Sequence, residues 1–257
     1  MFRYLRIAIL LTILVIVAGN QWLTGSRLSS WDRTLWVTIY PVLTDPGEDV
    51  RRYAENLEAE SFGDINAFFA QEMKRYGVSL QKPVFIQVAT PLTTLPPDLP
   101  VESSGFNVAL WSLKMRWWSW RNSSQDGLIP DHARIYVLYQ KGDPETLLER
   151  SVGVKNGSYG IVNALASRQM AARNNIVISH ELLHILGATD KYDLYTGQPV
   201  VPDGLANPGQ SPLYPQERAE IMGGRIATSD YRWRRPPSLK FCVVGSKTAA
   251  EIGWVTE

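Results

Sequence analysis

His180 and His184 stand four residues apart in the stretch SHELLHILGATDKYD, residues 179–193, with Glu181 between them. On a helix that spacing projects two imidazoles from one face a turn apart, near enough for both to bind one zinc ion. Glu181 shares the helix; a carboxylate so placed does not bind the metal but can accept the proton of an attacking water and pass it to a leaving amine. Catalytic zinc usually takes three protein ligands and leaves a fourth position open. The remaining histidine, His132, lies well upstream, so a carboxylate is the expected third ligand. Gly187 falls three residues after His184, where a helix can end in a left-handed residue, and the resulting turn can bring Asp190 back to the metal.

Together, His180, Glu181, His184, Gly187 and Asp190 resemble the zincins, and within them the metzincin clan of metalloproteases, whose pattern is HExxHxxGxx followed by His or Asp. The resemblance implies an endopeptidase with one catalytic Zn²⁺ held by His180, His184 and Asp190 and with Glu181 as general base. It also implies a methionine turn beneath the metal, for which Met222 in EIMGG is suitably placed; taken alone, Met222 would read as a core residue. The ending Asp190-Lys191-Tyr192-Asp193 is similar to the DxYD that follows the motif in immune-inhibitor-type secreted proteases. These matches cover residues 160 to 255, and the rest of the chain agrees only in the order of its elements. Another zincin branch takes a glutamate from a second helix as third ligand, so Glu217 and Glu220 stay open as alternatives beside a plain surface role. Tyr192 or Tyr231 could donate a hydrogen bond to an oxyanion, although a tyrosine serves as readily in packing.

A chain of 257 residues that is 45% hydrophobic can bury one substantial core, which suits one catalytic domain with an N-terminal appendage. Its net charge of +1, with both signs interspersed, gives no sign of nucleic-acid binding. The single cysteine, Cys242, excludes an internal disulfide and the simplest form of latency, a propeptide thiolate on the zinc.

Arg3 and Arg6 precede an apolar run from Ile7 to Ala18 broken only by Thr12, the layout of a secretion signal or signal anchor whose positive end stays in the cytoplasm. Val17-Ala18-Gly19 offers a cleavage site; extension of the run through Trp22 and Leu23 favours an uncleaved anchor. A polar tether at 24–33 leads to a strand at Thr34–Leu43. A helical segment then runs from Pro46 to Gly77, split near residues 61–64, and strands follow at Pro83–Ala89 and Ala133–Gln140. Between those strands, Asn107–Asn122 carries four tryptophans among Lys114, Arg116 and Arg121. Such a helix could rest on a membrane surface, but ordinary cores also use large aromatics, which favours cover for the sheet. Residues 141–157 read as a polar loop. Ser158–Leu165 reads as a short strand, and by the resemblance it is the sheet edge along which an extended substrate adds its backbone. The active-site helix should begin between Ser167 and Asn175 and run, apolar on nearly every side, to Leu186. The long Gly- and Pro-containing stretch 196–215 could shape substrate pockets or hold a Ca²⁺ through Asp193 or Asp203. A terminal helix is expected from Ser246 to Ile252.

These elements predict an α+β fold, a metzincin-like zinc protease domain at 34–257 with a mixed sheet, a central active-site helix and an irregular C-terminal half. A signal anchor or signal peptide at 1–23 and the tether precede it. The expected function is zinc-dependent hydrolysis of protein or peptide substrates outside the cytoplasm, either on a single-pass membrane anchor or, after signal cleavage, as a secreted or periplasmic enzyme. A reading of another class is a membrane-tethered binding or assembly factor that keeps the scaffold and cleaves little. Glu181 gives that reading no support, whereas the lack of a recognisable propeptide does.

Overall fold

The structure, a computed structural model, describes residues 30–100, 104–123, 127–143, 151–154 and 158–255. The N-terminal apolar run and most of the tether lie outside the described residues, as does much of the segment 141–157.

Strand β1 (Leu35–Leu43) is buried on both sides over most of its length, as its β-branched and aromatic content requires of an inner strand. It pairs in parallel with β2 (Val84–Val88) on one side and β3 (Ala133–Gln140) on the other. β3 pairs in parallel with β5 (Tyr159–Leu165), and β5 pairs antiparallel with β4 (Val152–Val154). The sheet order is therefore β2-β1-β3-β5-β4. This corrects two expectations: the strand ending at Leu165 is internal rather than an edge, and residues 152–154, read as loop, form the edge strand. Three residues, Val-Gly-Val, show no alternation long enough to read, and only pairing with β5 makes them a strand.

Parallel neighbours need crossovers, and helices supply them. Helix α1 (Glu48–Glu55), a 3₁₀ turn at Ala59–Phe62 and α2 (Gly63–Arg75) connect β1 to β2, while α3 (Gly105–Asn122) lies between β2 and β3. The period of two in the strands sorts the cores. Leu35, Val37 and Ile39 of β1 pack with Val50, Phe62, Ile65 and Phe69, whereas Tyr40 and Val42 face Trp111, Met115 and Trp118 of α3. α3 thus covers the sheet face opposite to α1 and α2, as the weight of aromatics favoured.

Helix α4 (Ala171–Leu186) packs against β5, β4 and α2, its apolar residues Ile178, Leu182, Leu183, Ile185 and Leu186 in the same core as α1 and α2. The chain beyond it is irregular. Its regular parts are the parallel pair β6 (Ala219–Glu220) and β9 (Cys242–Val243), the antiparallel pair β7 (Ile226–Ala227) and β8 (Trp233–Arg234), and α5 (Ser246–Glu251). Two buried carboxylates fasten this half. Glu72 of α2 accepts from the Val244 amide at 2.7 Å and from Arg75 at 2.6 Å. Glu220 accepts from the amides of Gly223 at 2.7 Å and Gly245 at 3.0 Å and from the Thr248 hydroxyl at 2.8 Å. These side-chain bonds tie together segments that the regular ladders of this half do not reach, and each carboxylate left without its donors would be a buried polar group unsatisfied. Among the described residues no helix is long and apolar enough to cross a membrane.

Candidate metal centre

α4 ends at Gly187, whose φ of 117° is left-handed. Its amide still donates to the Leu183 and His184 carbonyls, and the Ala188 amide to Leu183, so the chain reverses at once. That reversal returns Asp190 to the histidines. The ligand atoms of His180, His184 and Asp190 all lie within 4.8 Å of one another, the one such group among the described residues.

The ring nitrogens make the chemistry specific. Nδ1 of His180 lies 2.9 Å from the Ile221 carbonyl, and Nδ1 of His184 lies 2.9 Å from the Ala188 carbonyl. A carbonyl only accepts, so each Nδ1 carries a proton and donates it, and each Nε2 of a neutral ring presents a lone pair. Those Nε2 atoms lie 3.1 and 3.2 Å from the same Oδ1 of Asp190. With both rings neutral, three electron-rich atoms converge there, a repulsion that either a proton shared with Asp190 or a cation relieves, and both rings are already oriented by outer hydrogen bonds. Two imidazoles and a carboxylate suit zinc among the common divalent ions. Burial and the two histidines oppose each other at Asp190, and the histidines win, holding its carboxyl well below the usual carboxylate range. Burial would depress His180, but the bond to Asp190, the charge of Glu181 and the Ile221 carbonyl outweigh it and raise the imidazole.

Glu181 is buried on the same helix, and burial pushes its carboxyl up against the pull of His180 and His184. The Gly153 amide donates to it, yet Oε2 has no hydrogen-bond partner. A buried carboxylate oxygen of this kind is satisfied by a ligand or solvent that the chain does not supply. β4 lies directly on this helix: a Cβ on Gly153 would stand 2.5 Å from the Glu181 carbonyl oxygen and 2.6 Å from the His184 Cβ. Its register partner Gly160 has Glu181 Cβ 3.6 Å from where its own Cβ would be.

Met222 is fully buried in the turn that follows β6, and its carbonyl accepts from the Lys191 amide at 2.9 Å. With Ile221 bonded to His180, that turn braces the centre from below. Gly223 is needed there because a Cβ would meet the Gly204 carbonyl oxygen at 2.4 Å. The alternative ligands are elsewhere: Glu220 is consumed by its three donors, and Glu217 is exposed. The ring of Tyr192 is 6.4 Å from that of His180, with the Arg225 guanidinium 5.4 Å from Tyr192 and 4.2 Å from Trp233. Tyr231 is exposed, its ring beneath Arg232. Asp193 accepts from the amides of Tyr195 and Thr196 and the Thr196 hydroxyl, closing a loop turn, and Asp203 is exposed.

Sequence reading missed the parts that position the ligands. Lys191 is buried, donates to the Thr189 carbonyl at 2.9 Å and pairs with Glu251 of α5 at 2.7 Å. Glu251 also accepts from the Thr189 amide at 3.0 Å and hydroxyl at 2.8 Å, clasping the turn on both sides of Asp190. Those residues carried no readable signal, whereas the isolated glycines Gly153 of β4 and Gly160 of β5 did, since such glycines in strands mark close backbone approach.

No family model matches the chain, and no curated protein matches it. Among solved structures it is similar, at 14% identity and a TM-score of 0.41, to a chain from a chaperone–substrate complex, over 86% of this chain and 33% of that one. It is also similar to wild-type OgpA from Akkermansia muciniphila, at 14% identity and a TM-score of 0.38, over 86% of this chain and 60% of that one. Catalytically inactive OgpA in complex with an O-glycopeptide substrate, glycodrosocin, aligns at 13% identity and a TM-score of 0.36, over 86% and 59%. The chain thus spans from a third to about three-fifths of these proteins' lengths.

Proposed function

We propose that the protein is a zinc-dependent endopeptidase of metzincin-like architecture that acts outside the cytoplasm. The observation that carries this reading is the convergence of two Nε2 lone pairs and one carboxylate oxygen beside a buried glutamate with a free oxygen. His180, His184 and Asp190 would hold Zn²⁺, which when bound supplies a Lewis acid for the scissile carbonyl and acidifies water. Glu181 takes the proton of the attacking water at its unpartnered Oε2 and delivers it to the leaving amine; its raised pKa suits a group that must both accept and release a proton. Among the described residues β4 is the outermost strand on the α4 side of the sheet, so an extended substrate would add a strand there rather than along β5. The Tyr192 ring beside His180 makes that tyrosine the better placed of the two candidate oxyanion donors.

The test is metal content together with peptidase activity on the full chain, for wild type, Asp190→Ala and Glu181→Gln. Wild type and Glu181→Gln should each hold about one zinc, Asp190→Ala should lose it, and only wild type should cleave an unfolded protein substrate. A wild type that takes up no zinc on reconstitution would sink the reading. A Glu181→Gln variant that keeps the full biological effect would transfer it to the binding or assembly factor.

A further inference from the structure

Helix α3 has two apolar faces, and the sheet covers one. Trp111, Met115 and Trp118 are buried against Tyr40, Tyr136, Tyr159 and Ile161. On the other side Phe106, Leu110, Leu113, Trp117 and Trp120 are 77%, 42%, 64%, 59% and 69% exposed. Their spacings of four and three put all five in a single stripe on a helix of 3.6 residues per turn. On the same wheel Lys114 and Arg121 border the stripe on one side and Arg116 on the other, with the Arg121 guanidinium 5.6 Å from the Trp117 ring. The helix contains no acidic residue; Asp98, which shares a groove with Asn107 and Lys114, lies outside the stripe.

Stable monomers rarely present so many large apolar side chains in one row, so the stripe needs a partner. The charges say which. Cations along both edges of an indole-bearing stripe match a layer whose middle is hydrocarbon and whose rim is phosphate, because the aromatic rings sit at the headgroup level and the cations reach the phosphates. The sequence also holds a second lipid-seeking element, the apolar run 7–18 behind Arg3 and Arg6. We propose that α3 lies flat on an anionic bilayer surface, with Phe106, Leu113, Trp117 and Trp120 inserted and Lys114, Arg116 and Arg121 on lipid phosphates.

The test uses the full chain as Leu113→Cys, labelled with a polarity-sensitive dye and reconstituted into vesicles of phosphatidylcholine and phosphatidylglycerol. Leu113 is exposed, so the change spares the fold, and Cys242 is buried and stays unlabelled. A label at Asp203→Cys, on the other half of the chain, reports the aqueous case. The label at 113 should shift to the blue, lose quenching by aqueous iodide and gain quenching by nitroxide-bearing lipid, while the label at 203 should stay open to iodide. Vesicles of phosphatidylcholine alone should give a smaller shift, and Trp117→Ser with Trp120→Ser should abolish it. Free quenching by iodide at 113 overturns the proposal. Protection from iodide without nitroxide quenching also overturns it, because the stripe is then covered by protein, either a second copy or the chain's own N-terminal run.

Discussion

Lys191 and Glu251, sixty residues apart in the chain, meet at 2.7 Å beside the turn that carries Asp190. Neither belongs to the His180, His184 and Asp190 group, yet between them they hold the residues on each side of Asp190: Glu251 takes Thr189 and Lys191 ties back to the Thr189 carbonyl. Glu251→Gln should therefore strand a buried ammonium at a cost of roughly 3 kcal/mol. It should also weaken zinc binding tenfold or more, the usual consequence of losing an outer-shell support. Chelator competition and thermal unfolding on the same samples check this. A lowered melting temperature with unchanged zinc affinity would make the pair a structural brace only.

Gly153→Ala tests how closely β4 must approach α4. The added methyl would fall 2.5 Å from the Glu181 carbonyl oxygen and 2.6 Å from the His184 Cβ, backbone-borne atoms that cannot swing aside. The edge strand must lift, and overpacking of this kind costs about 1–3 kcal/mol. Peptidase turnover should fall sharply while zinc content, set by residues outside β4, holds near that of wild type. Unaltered turnover would show that β4 has no part in placing substrate.

Burial raises the pKa of Glu220 against the pull of its Gly245, Thr248 and Gly223 donors. A carboxyl whose folded pKa exceeds its unfolded one binds its proton more tightly when folded. Its contribution to stability is thus fully present below the ordinary value of 4.5 and is lost as pH rises through the raised value. Glu220→Gln cannot titrate, and its amide N–H₂ faces donors where a carboxylate oxygen had accepted from them, a penalty of about 1–3 kcal/mol. Thermal unfolding of both proteins between about pH 4 and 8 should show the variant's deficit narrowing as pH rises. A deficit that widens would mean the ionised form is the favoured one.

Cys242 is buried, and burial with the nearby charges of Glu220 and Glu72 pushes its thiol up to about 12. It should resist iodoacetamide in the native protein at pH 8 and react only on unfolding, read by mass spectrometry over time. Rapid native labelling would place β9 in an opened state.

How much of this was readable depends on how local each feature is. His180, Glu181, His184, Gly187 and Asp190 lie within one helix and one turn, so spacing alone anticipates their meeting. β1, β2, β3 and α4 likewise announce themselves through apolar runs of sufficient length. β4 does not, because three residues carry no period and their strand character comes wholly from β5. The structural roles of Glu72, Lys191, Glu220 and Glu251 were hidden for the same reason: each is explained by a partner that no sequence interval marks. The tryptophans of α3 set two readings against each other, and the helix wheel shows that they divide between its two faces.

The hydrogen bonds that fix both histidine tautomers end on main-chain carbonyls, those of Ile221 and Ala188. Every residue type carries such a carbonyl, so no single codon change at position 188 or 221 can delete either acceptor. The orientation of the donor set is thereby shielded from ordinary side-chain mutation and exposed instead to changes that bend the backbone. Gly187, the left-handed residue between His184 and its acceptor, is the position where heritable variation can reach it.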